Sequence, residues 1–210
     1  MKYPILMADI VDSRKTNSSA LINDFRKIVK YINTEWSDSI LSPLTITLGD
    51  EFQSLMKDIE SCYKVIFDIE EYIILNSLNL KIRYIVNYGE IDTPINKNIA
   101  YEMLGKGLTY AREQLNLLKS SQTRFKVFIN KSLDTVDVMN NLFVIYGSYV
   151  DSWKMKDFGM VSEFIRHNDY KIVADELNMN RSSTWRRYKT LKIEEYNLIK
   201  DTILTLHNLL

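Results

Sequence analysis

A hairpin placed between two helices is the feature that most constrains the fold. Residues 43–56, PLTITLGDEFQSLM, alternate apolar and polar side chains, reverse at Gly49 and Asp50, and continue with Phe52 and Leu55. Such alternation indicates strands, and a glycine at the reversal is typical of a hairpin turn. The segments on both sides repeat apolar residues at spacings of three and four, which predicts amphipathic helices.

The rest of the N-terminal part continues this mixture. Strands are predicted within YPILMADI (3–10), LKIRYIVNYGEI (80–91) and RFKVFIN (124–130), and a third helix within YEMLGKGLTYAREQLNLLKS (101–120). The order is therefore β-α-β-β-α-β-α-β up to about residue 134. A mixed order with a central hairpin predicts a ferredoxin-like α/β sandwich.

Composition excludes several classes of protein. The chain has 210 residues, and Lys plus Arg equals Asp plus Glu, so any basic surface is local. The single cysteine, Cys62, falls on a helical apolar stripe and is expected in the core of a protein from a reducing compartment. No apolar run approaches the roughly 18 residues of a membrane span. Asp9 and Asp12 interrupt the N-terminal segment early, which is not typical of a signal peptide. We therefore expect a cytoplasmic protein with no membrane segment.

The character of the chain changes after Leu133, where the pattern is helical without a clear strand. We predict two domains, an α/β domain over residues 1–134 and an all-α domain over residues 135–210. Within the second, residues 170–192 have the spacing of a helix-turn-helix. No Pro/Gly-rich linker marks the boundary.

Asp9 and Asp50 are the candidate metal ligands. Asp9 ends the first strand and Asp50 lies at the tip of the hairpin, which are neighbours in a β-α-β-β sheet. Two converging carboxylates repel each other unless a cation lies between them, and oxygen ligands suit Mg²⁺ or Mn²⁺. Asp12 and Glu51 are spare acids nearby. The alternative is that Asp9 caps a helix and Asp50 fills a turn.

Three stretches, ILMADIVDSRK, TLGDEFQSL and LKIRYIVNYGEI, resemble successive blocks of the class III nucleotide cyclase domain. The resemblance implies that Asp9, the Ile10 carbonyl and Asp50 bind Mg²⁺ or Mn²⁺, and that Arg83 contacts the nucleotide. A fourth stretch, YEMLGKGLTYAREQL, is similar to the loop and helix that hold the base and the transition state. With its helical tail, the whole pattern is most similar to the SatD family, a bacterial group.

The departures from the cyclase pattern lie in the nucleotide half of the site. Glu102 keeps the acidic base-reading position, but Thr109 stands for the ribose-orienting Asn and Glu113 for the phosphate-clamping Arg. Arg112 is adjacent to that clamp position but points about 100° away from it around a helix. Ile46 replaces the purine-reading Lys. Loss of a cationic clamp removes a large catalytic contribution, which favours nucleotide binding over standard cyclisation.

The letters GDEF also resemble the signature of diguanylate cyclases. That signature has a further Gly before it, where this chain has Leu48. The first strand also lacks the Asp-x-Asp-x-Phe-Lys pattern of those enzymes. We therefore prefer the class III resemblance.

The second helix of the predicted helix-turn-helix carries a local basic patch. Asn180 or Ser182 is placed to cap it, Thr184 is expected to face inward and Trp185 outward. The predicted DNA-contacting residues are Arg181, Ser182, Ser183, Arg186, Arg187 and Lys189. The alternative is a solvated basic face on a plain helical bundle, or an interaction module that has lost its DNA.

Two functions from different classes follow. The first is a regulatory protein of the SatD type that binds a nucleotide or metal-phosphate ligand through its cyclase-like domain and DNA through its tail. The second is a Mg²⁺- or Mn²⁺-dependent nucleotidyl cyclase or related phosphotransferase, in which Arg83 or Arg112 neutralises phosphate. A nucleoside triphosphate is the expected ligand. A homodimer is expected because class III sites commonly form between two subunits.

Overall fold

Strands and helices alternate through the first 128 residues, and the chain is helical from Leu133 onward. The computed structural model describes residues 1–13, 18–129 and 131–209. The strands are β1 (Lys2–Ile10), β2 (Ile40–Ile46), β3 (Glu51–Met56), β4 (Ile82–Glu90) and β5 (Phe125–Phe128). The α-helices are α1 (Ser18–Glu35), α2 (Ile59–Leu75), α3 (Lys106–Leu118), α4 (Leu133–Ser152), α5 (Phe158–His167), α6 (Tyr170–Glu176), α7 (Arg181–Thr190) and α8 (Ile193–Leu209). The predicted order of strands and helices is confirmed.

The described residues form a five-stranded sheet in the order β2-β3-β1-β4-β5. β1 is antiparallel to β3 and β4, β2 is antiparallel to β3, and β5 runs parallel to β4. The first four strands have the order and directions of a ferredoxin-like arrangement, and α3 carries the chain across to the added edge strand β5. The predicted mixed α/β fold is therefore confirmed.

Successive residues of β1 face opposite sides of the sheet, and each side has its own buried cluster. Leu6, Ala8 and Ile10 face a large cluster that includes α1 and α2. Ile5 and Met7 face a smaller cluster formed with α3. Both faces of the central strand are thus buried.

The C-terminal helices pack on the larger cluster. Phe143 and Tyr146 of α4 lie against Phe125 of β5, with ring centroids 5.8 and 5.4 Å away. Tyr196 of α8 stacks on Tyr146 with centroids 5.8 Å apart. The predicted boundary at residues 134–135 falls in the first turn of α4, and the division into two domains stays a prediction.

Two expectations from composition can be compared with the structure. Cys62 is fully buried in the larger cluster, as expected, and burial raises the pKa of its thiol. None of the helices in the described ranges has the length and apolar character needed to cross a membrane.

A buried ion network joins the sheet to the C-terminal helices. Arg124, directly before β5, donates to the two oxygens of Glu70 at 2.7 and 2.6 Å and to those of Asp151 at 3.0 and 3.1 Å. Tyr84 donates to Glu70 at 2.7 Å. Burial disfavours the charged guanidinium, but Glu70 raises the pKa of Arg124 above its ordinary value. The charged network therefore connects α2, β4, β5 and α4.

We predict that Arg124→Met lowers the free energy of unfolding by about 3–5 kcal/mol, because it leaves the Glu70 carboxylate buried without its counter-charge. Urea unfolding at neutral pH measures the change. The control is Lys81→Met, since Lys81 is half-exposed and also contacts Asp151; it should cost less than about 1 kcal/mol. Equal costs for the two variants would contradict the prediction.

Candidate functional site

The hairpin turn holds Asp50 against the end of β1. Gly49 has a φ of +84°, which favours glycine. The Ile10 N–H donates to the Asp50 carbonyl at 2.9 Å, and the Ser13 hydroxyl donates to Asp50 Oδ2 at 2.5 Å. Main chain and side chain of Asp50 are thus both tied to the residues at the end of β1.

A cleft of about 780 Å³ opens beside this turn. Asp9, Ile10, Asp50 and Arg83, which the sequence places far apart, all line it. Lys119, at the end of α3, lines it as well. The structure therefore brings the predicted metal-binding residues and one predicted nucleotide-binding residue to one place.

Asp9 is a deeply buried carboxylate of the cleft and has two cationic partners. Its side chain is 4% exposed, and Arg83 Nη1 lies 3.1 and 3.2 Å from its two oxygens. Lys119 Nζ lies 3.3 Å from Asp9 Oδ2. Burial raises the pKa of Asp9 above its ordinary value, and the charges of Arg83 and Lys119 oppose that rise. The two cations therefore favour the ionised form that a metal ligand requires.

Glu51 connects this cleft to α3. Antiparallel pairing places it opposite Asp9, and Arg112 Nη1 lies 3.2 Å from Glu51 Oε1. Arg112 Nη2 also donates to Gln53 Oε1 at 3.2 Å. Burial raises the pKa of Glu51, and the charges of Arg112 and Lys119 oppose the rise. Arg112 is thus already engaged by two residues of β3.

A second pocket, of about 490 Å³, holds the other predicted nucleotide-binding residues. Glu102, Thr109 and Arg112 line it, together with Glu113. Arg112 and Glu113 differ by about 100° around the helix axis. Both still reach the pocket, because residues spaced three and four apart from Thr109 share one helix face. The two pockets meet at Arg112, which lines the second and contacts Glu51 of the first.

The oxygen donors of the first cleft suit Mg²⁺ or Mn²⁺. Asp9 and Asp50 supply carboxylates and Ile10 a main-chain carbonyl, and both ions prefer oxygen and retain water ligands. In the part of the chain that the structure describes, no group of three His, Cys, Asp or Glu side chains forms a metal cluster. The residues therefore fit an open coordination sphere completed by water and phosphate, and do not fit an all-protein cage.

A close contact between two glycines fixes the start of α3 on β4. A Cβ atom at Gly107 would lie only 2.6 Å from the Gly89 carbonyl carbon. The buried Asn87 amide also donates to the Gly107 carbonyl at 2.9 Å. From this anchor α3 runs back along the sheet and places Arg112 and Lys119 at the two pockets.

Helix α7, which follows α6, holds all six residues predicted to bind DNA. The Asn180 side chain accepts from the Ser182 N–H at 2.9 Å and so caps α7, as predicted. Thr184 is fully buried and Trp185 is 46% exposed, which matches the predicted orientation. Helix-turn-helix function stays a prediction.

Three of the six predicted DNA-contacting residues form ion pairs with acids of this chain. The pairs are Arg181–Asp175 at 2.9 Å, Arg187–Asp157 at 2.6 Å and Lys189–Glu194. Arg186 is exposed and donates to the Ser182 carbonyl at 3.3 Å. Ser182 and Ser183 lie in the first turn of α7, where Ser182 is exposed and Ser183 half-buried. Arg186 is thus the cation of α7 best placed to meet a phosphate.

Sequence reasoning missed or undervalued several cleft residues. The sequence identifies Glu51 only as a spare acid and Arg83 without a partner, and it does not predict Lys119 or Gln53. Strand periodicity could have shown that Glu51 and Gln53 share a face of β3. No local signal identifies Lys119, because its position depends on where α3 ends against the sheet.

The comparisons with known proteins include a family and several solved structures. The SatD family model matches residues 3–206. A bacterial light-regulated adenylyl cyclase matches with a TM-score of 0.43 and 14% identity, covering 60% of this chain and 74% of that chain. The adenylyl cyclase CyaB from P. aeruginosa matches with a TM-score of 0.44 and 12% identity, covering 67% of this chain and 81% of that chain. No curated protein matches.

We predict that Gly107→Ala lowers the free energy of unfolding by about 1–3 kcal/mol, because the new methyl group meets main-chain atoms that cannot move aside. Gly159→Ala in α5 is the matched control, since nothing lies within 4 Å of its Cβ position. That control should change stability by less than about 1 kcal/mol. Urea unfolding compares the two, and an unaffected Gly107→Ala protein would contradict the close packing of α3 on β4.

Proposed function

The chain belongs to the SatD family, and we propose that it binds a nucleoside triphosphate together with Mg²⁺ or Mn²⁺. The observation that carries the proposal is the convergence of Asp9, Asp50 and Arg83 on one cleft. Carboxylates suit the metal, and a guanidinium suits phosphate. A cleft of about 780 Å³ is also within the usual size range of small-molecule sites.

In this proposal the two pockets hold different parts of the ligand. Asp9, the Ile10 carbonyl and Asp50 would hold the metal, which supplies charge neutralisation of the phosphates when bound. Arg83 faces the phosphates from β4. Glu102, Thr109 and Arg112 of the adjoining pocket contact the nucleoside, with the Glu102 carboxylate able to accept from base amino groups.

The second pocket favours binding over turnover. A transferring phosphate needs positive charge at the transition state. Glu113 is acidic, and Arg112 is held by Glu51 and Gln53 at 3.2 Å. We therefore propose a regulatory role for the site in a cytoplasmic homodimer, and keep the cyclase or phosphotransferase activity as the alternative. Light scattering on the purified protein tests the dimer.

We predict that Asp50→Asn weakens binding of Mn²⁺ with nucleoside triphosphate by more than about tenfold, because one metal ligand loses its charge. Calorimetry with Mn²⁺ and each of the four triphosphates measures this, and chromatography of the same samples detects cyclic product or pyrophosphate. Asp38→Asn is the control, since Asp38 is exposed in the short 3-10 helix just before β2, at the end of that strand away from the hairpin turn.

Two results would change the proposal. If the wild-type protein binds none of the four triphosphates, or if Asp50→Asn binds as well as wild type, the binding function is wrong. Turnover by wild type that Asp50→Asn abolishes would replace the regulatory role with the catalytic alternative.

A DNA-binding role for α7 is the second part of the proposed function. Its support is the exposed pocket of about 450 Å³ bordered by Arg181, Trp185 and Arg186. Buried Thr184 turns this basic face outward. A helix that presents cations and a polar N-terminal turn is suited to phosphate and base-edge contacts in a major groove.

We predict that Arg186→Ala weakens binding to duplex DNA and lowers the slope of log affinity against log salt concentration by about 1. Fluorescence anisotropy over a salt series measures both. Arg187→Ala serves as the comparison, because its partner Asp157 is 12% exposed; its main effect should be on thermal stability. Salt-independent DNA binding, or none by wild type, would contradict this role.

A further inference from the structure

The two cations on Asp9 are held in different ways. Arg83 lies opposite Asp9 in the register of β1 and β4, and its side chain is 12% exposed. Lys119 follows the last residue of α3, and its side chain is 44% exposed. Arg83 is therefore confined by the sheet, whereas Lys119 can change its side-chain rotamer into the cleft at low cost.

The local contacts of Lys119 also indicate that its ammonium group can be released from Asp9. Its Nζ lies 3.1 Å from Asn116 Oδ1 on the same helix as well as 3.3 Å from Asp9 Oδ2. The Asn116 amide is a neutral partner and also lines the second pocket. Among the described residues, Lys119 forms its ion pair with Asp9, a carboxylate proposed to bind metal, and its charge also acts on Glu51.

Acids outnumber bases in the lining of the cleft. Asp9, Asp12, Asp50 and Glu51 line it with Arg83 and Lys119, and Arg112 contacts Glu51 from α3. A divalent cation at Asp9 and Asp50 would lie beside Arg83 and Lys119, which repel it. A polyphosphate alone would place its negative charge beside the acids. When the metal and the polyphosphate bind together, the acids of the cleft face the metal and the bases face the phosphates.

We propose that Lys119 is a phosphate-binding residue of this cleft, and that its release from Asp9 couples phosphate binding to metal binding. The inference rests on the proposed function and deepens it, because it specifies a metal–polyphosphate complex as the ligand. Thr109 and Glu113 provide no positive charge for the phosphates. Lys119 supplies that charge from the end of α3. Arg83 stays at the base of the cleft and completes the phosphate contacts.

The test uses the full chain with inorganic tripolyphosphate and Mn²⁺ as probes. Calorimetry measures three affinities, for Mn²⁺ alone, for tripolyphosphate in chelator-treated buffer, and for the Mn²⁺–tripolyphosphate complex. In the wild-type protein the complex should bind at least about tenfold tighter than either component. Unchanged thermal unfolding verifies that each variant is folded.

Lys119→Ala should shift the affinities in opposite directions. Binding of the complex should weaken by about tenfold, since a charge-assisted contact to phosphate is lost. Binding of Mn²⁺ alone should tighten, because Asp9 loses a competing cation. Lys119→Arg should retain binding of the complex. Lys106→Ala is the matched control, since Lys106 is an exposed lysine of the same helix, about 20 Å away along its axis.

The possible outcomes separate this inference from the proposed function. If wild type binds the complex and Lys119→Ala binds it equally well, Lys119 is not a phosphate ligand and only this inference is overturned. The same holds if Lys119→Ala weakens the binding of Mn²⁺ alone, or if Lys106→Ala matches its effects. If wild type binds neither the metal nor the complex, the proposed function itself is wrong.

Discussion

The register of β1 between β3 and β4 is the constraint on which the rest of the structure depends. It places Asp9 opposite Glu51 on one side and opposite Arg83 on the other. The same register turns Ile5 and Met7 toward α3. A shift by one residue would turn Asp9 toward the larger hydrophobic cluster and separate it from its guanidinium. The register that buries the core therefore also assembles the cleft.

The polar site continues the smaller hydrophobic cluster. Along the face of the sheet that meets α3, the residues of β1 change from apolar Ile5 and Met7 to acidic Asp9. On the facing side, the residues of α3 change along the helix from the buried Leu108 and Leu115 to the half-exposed Lys119 that follows its last residue. The apolar part holds α3 in place and so positions the main chain at the charged end. Such preorganisation lowers the conformational cost of binding a ligand.

The sequence contains enough information to predict the sheet and the pair of aspartates. Local alternation and helical spacing predict each element, and the β-α-β-β order makes the ends of β1 and the hairpin neighbours. Local patterns do not show how far α3 reaches, so Lys119 and the Glu51–Arg112 pair could not be predicted. The acids of α2 are a similar case. No local pattern shows that Glu70 is buried against Arg124, which lies far away in the sequence.

Three acids of α2 each face a different neighbour, Glu70 fully buried and Asp68 and Glu71 half-buried. Asp68 accepts from Trp36 Nε1 at 2.7 Å, Glu70 pairs with Arg124, and Glu71 accepts from Tyr196 of α8 at 2.8 Å. A buried charge is tolerated when its partner supplies both charge and hydrogen bonds. The segment that provides Arg124 begins at Lys119, only five residues earlier. One short connection therefore carries a cation of the cleft at its start and the anchor of the C-terminal helices at its end. Since Arg124 is held by Glu70, Asp151 and the Ile82 carbonyl, the connection is fixed at its far end, and a rotamer change of Lys119 does not require the C-terminal helices to move.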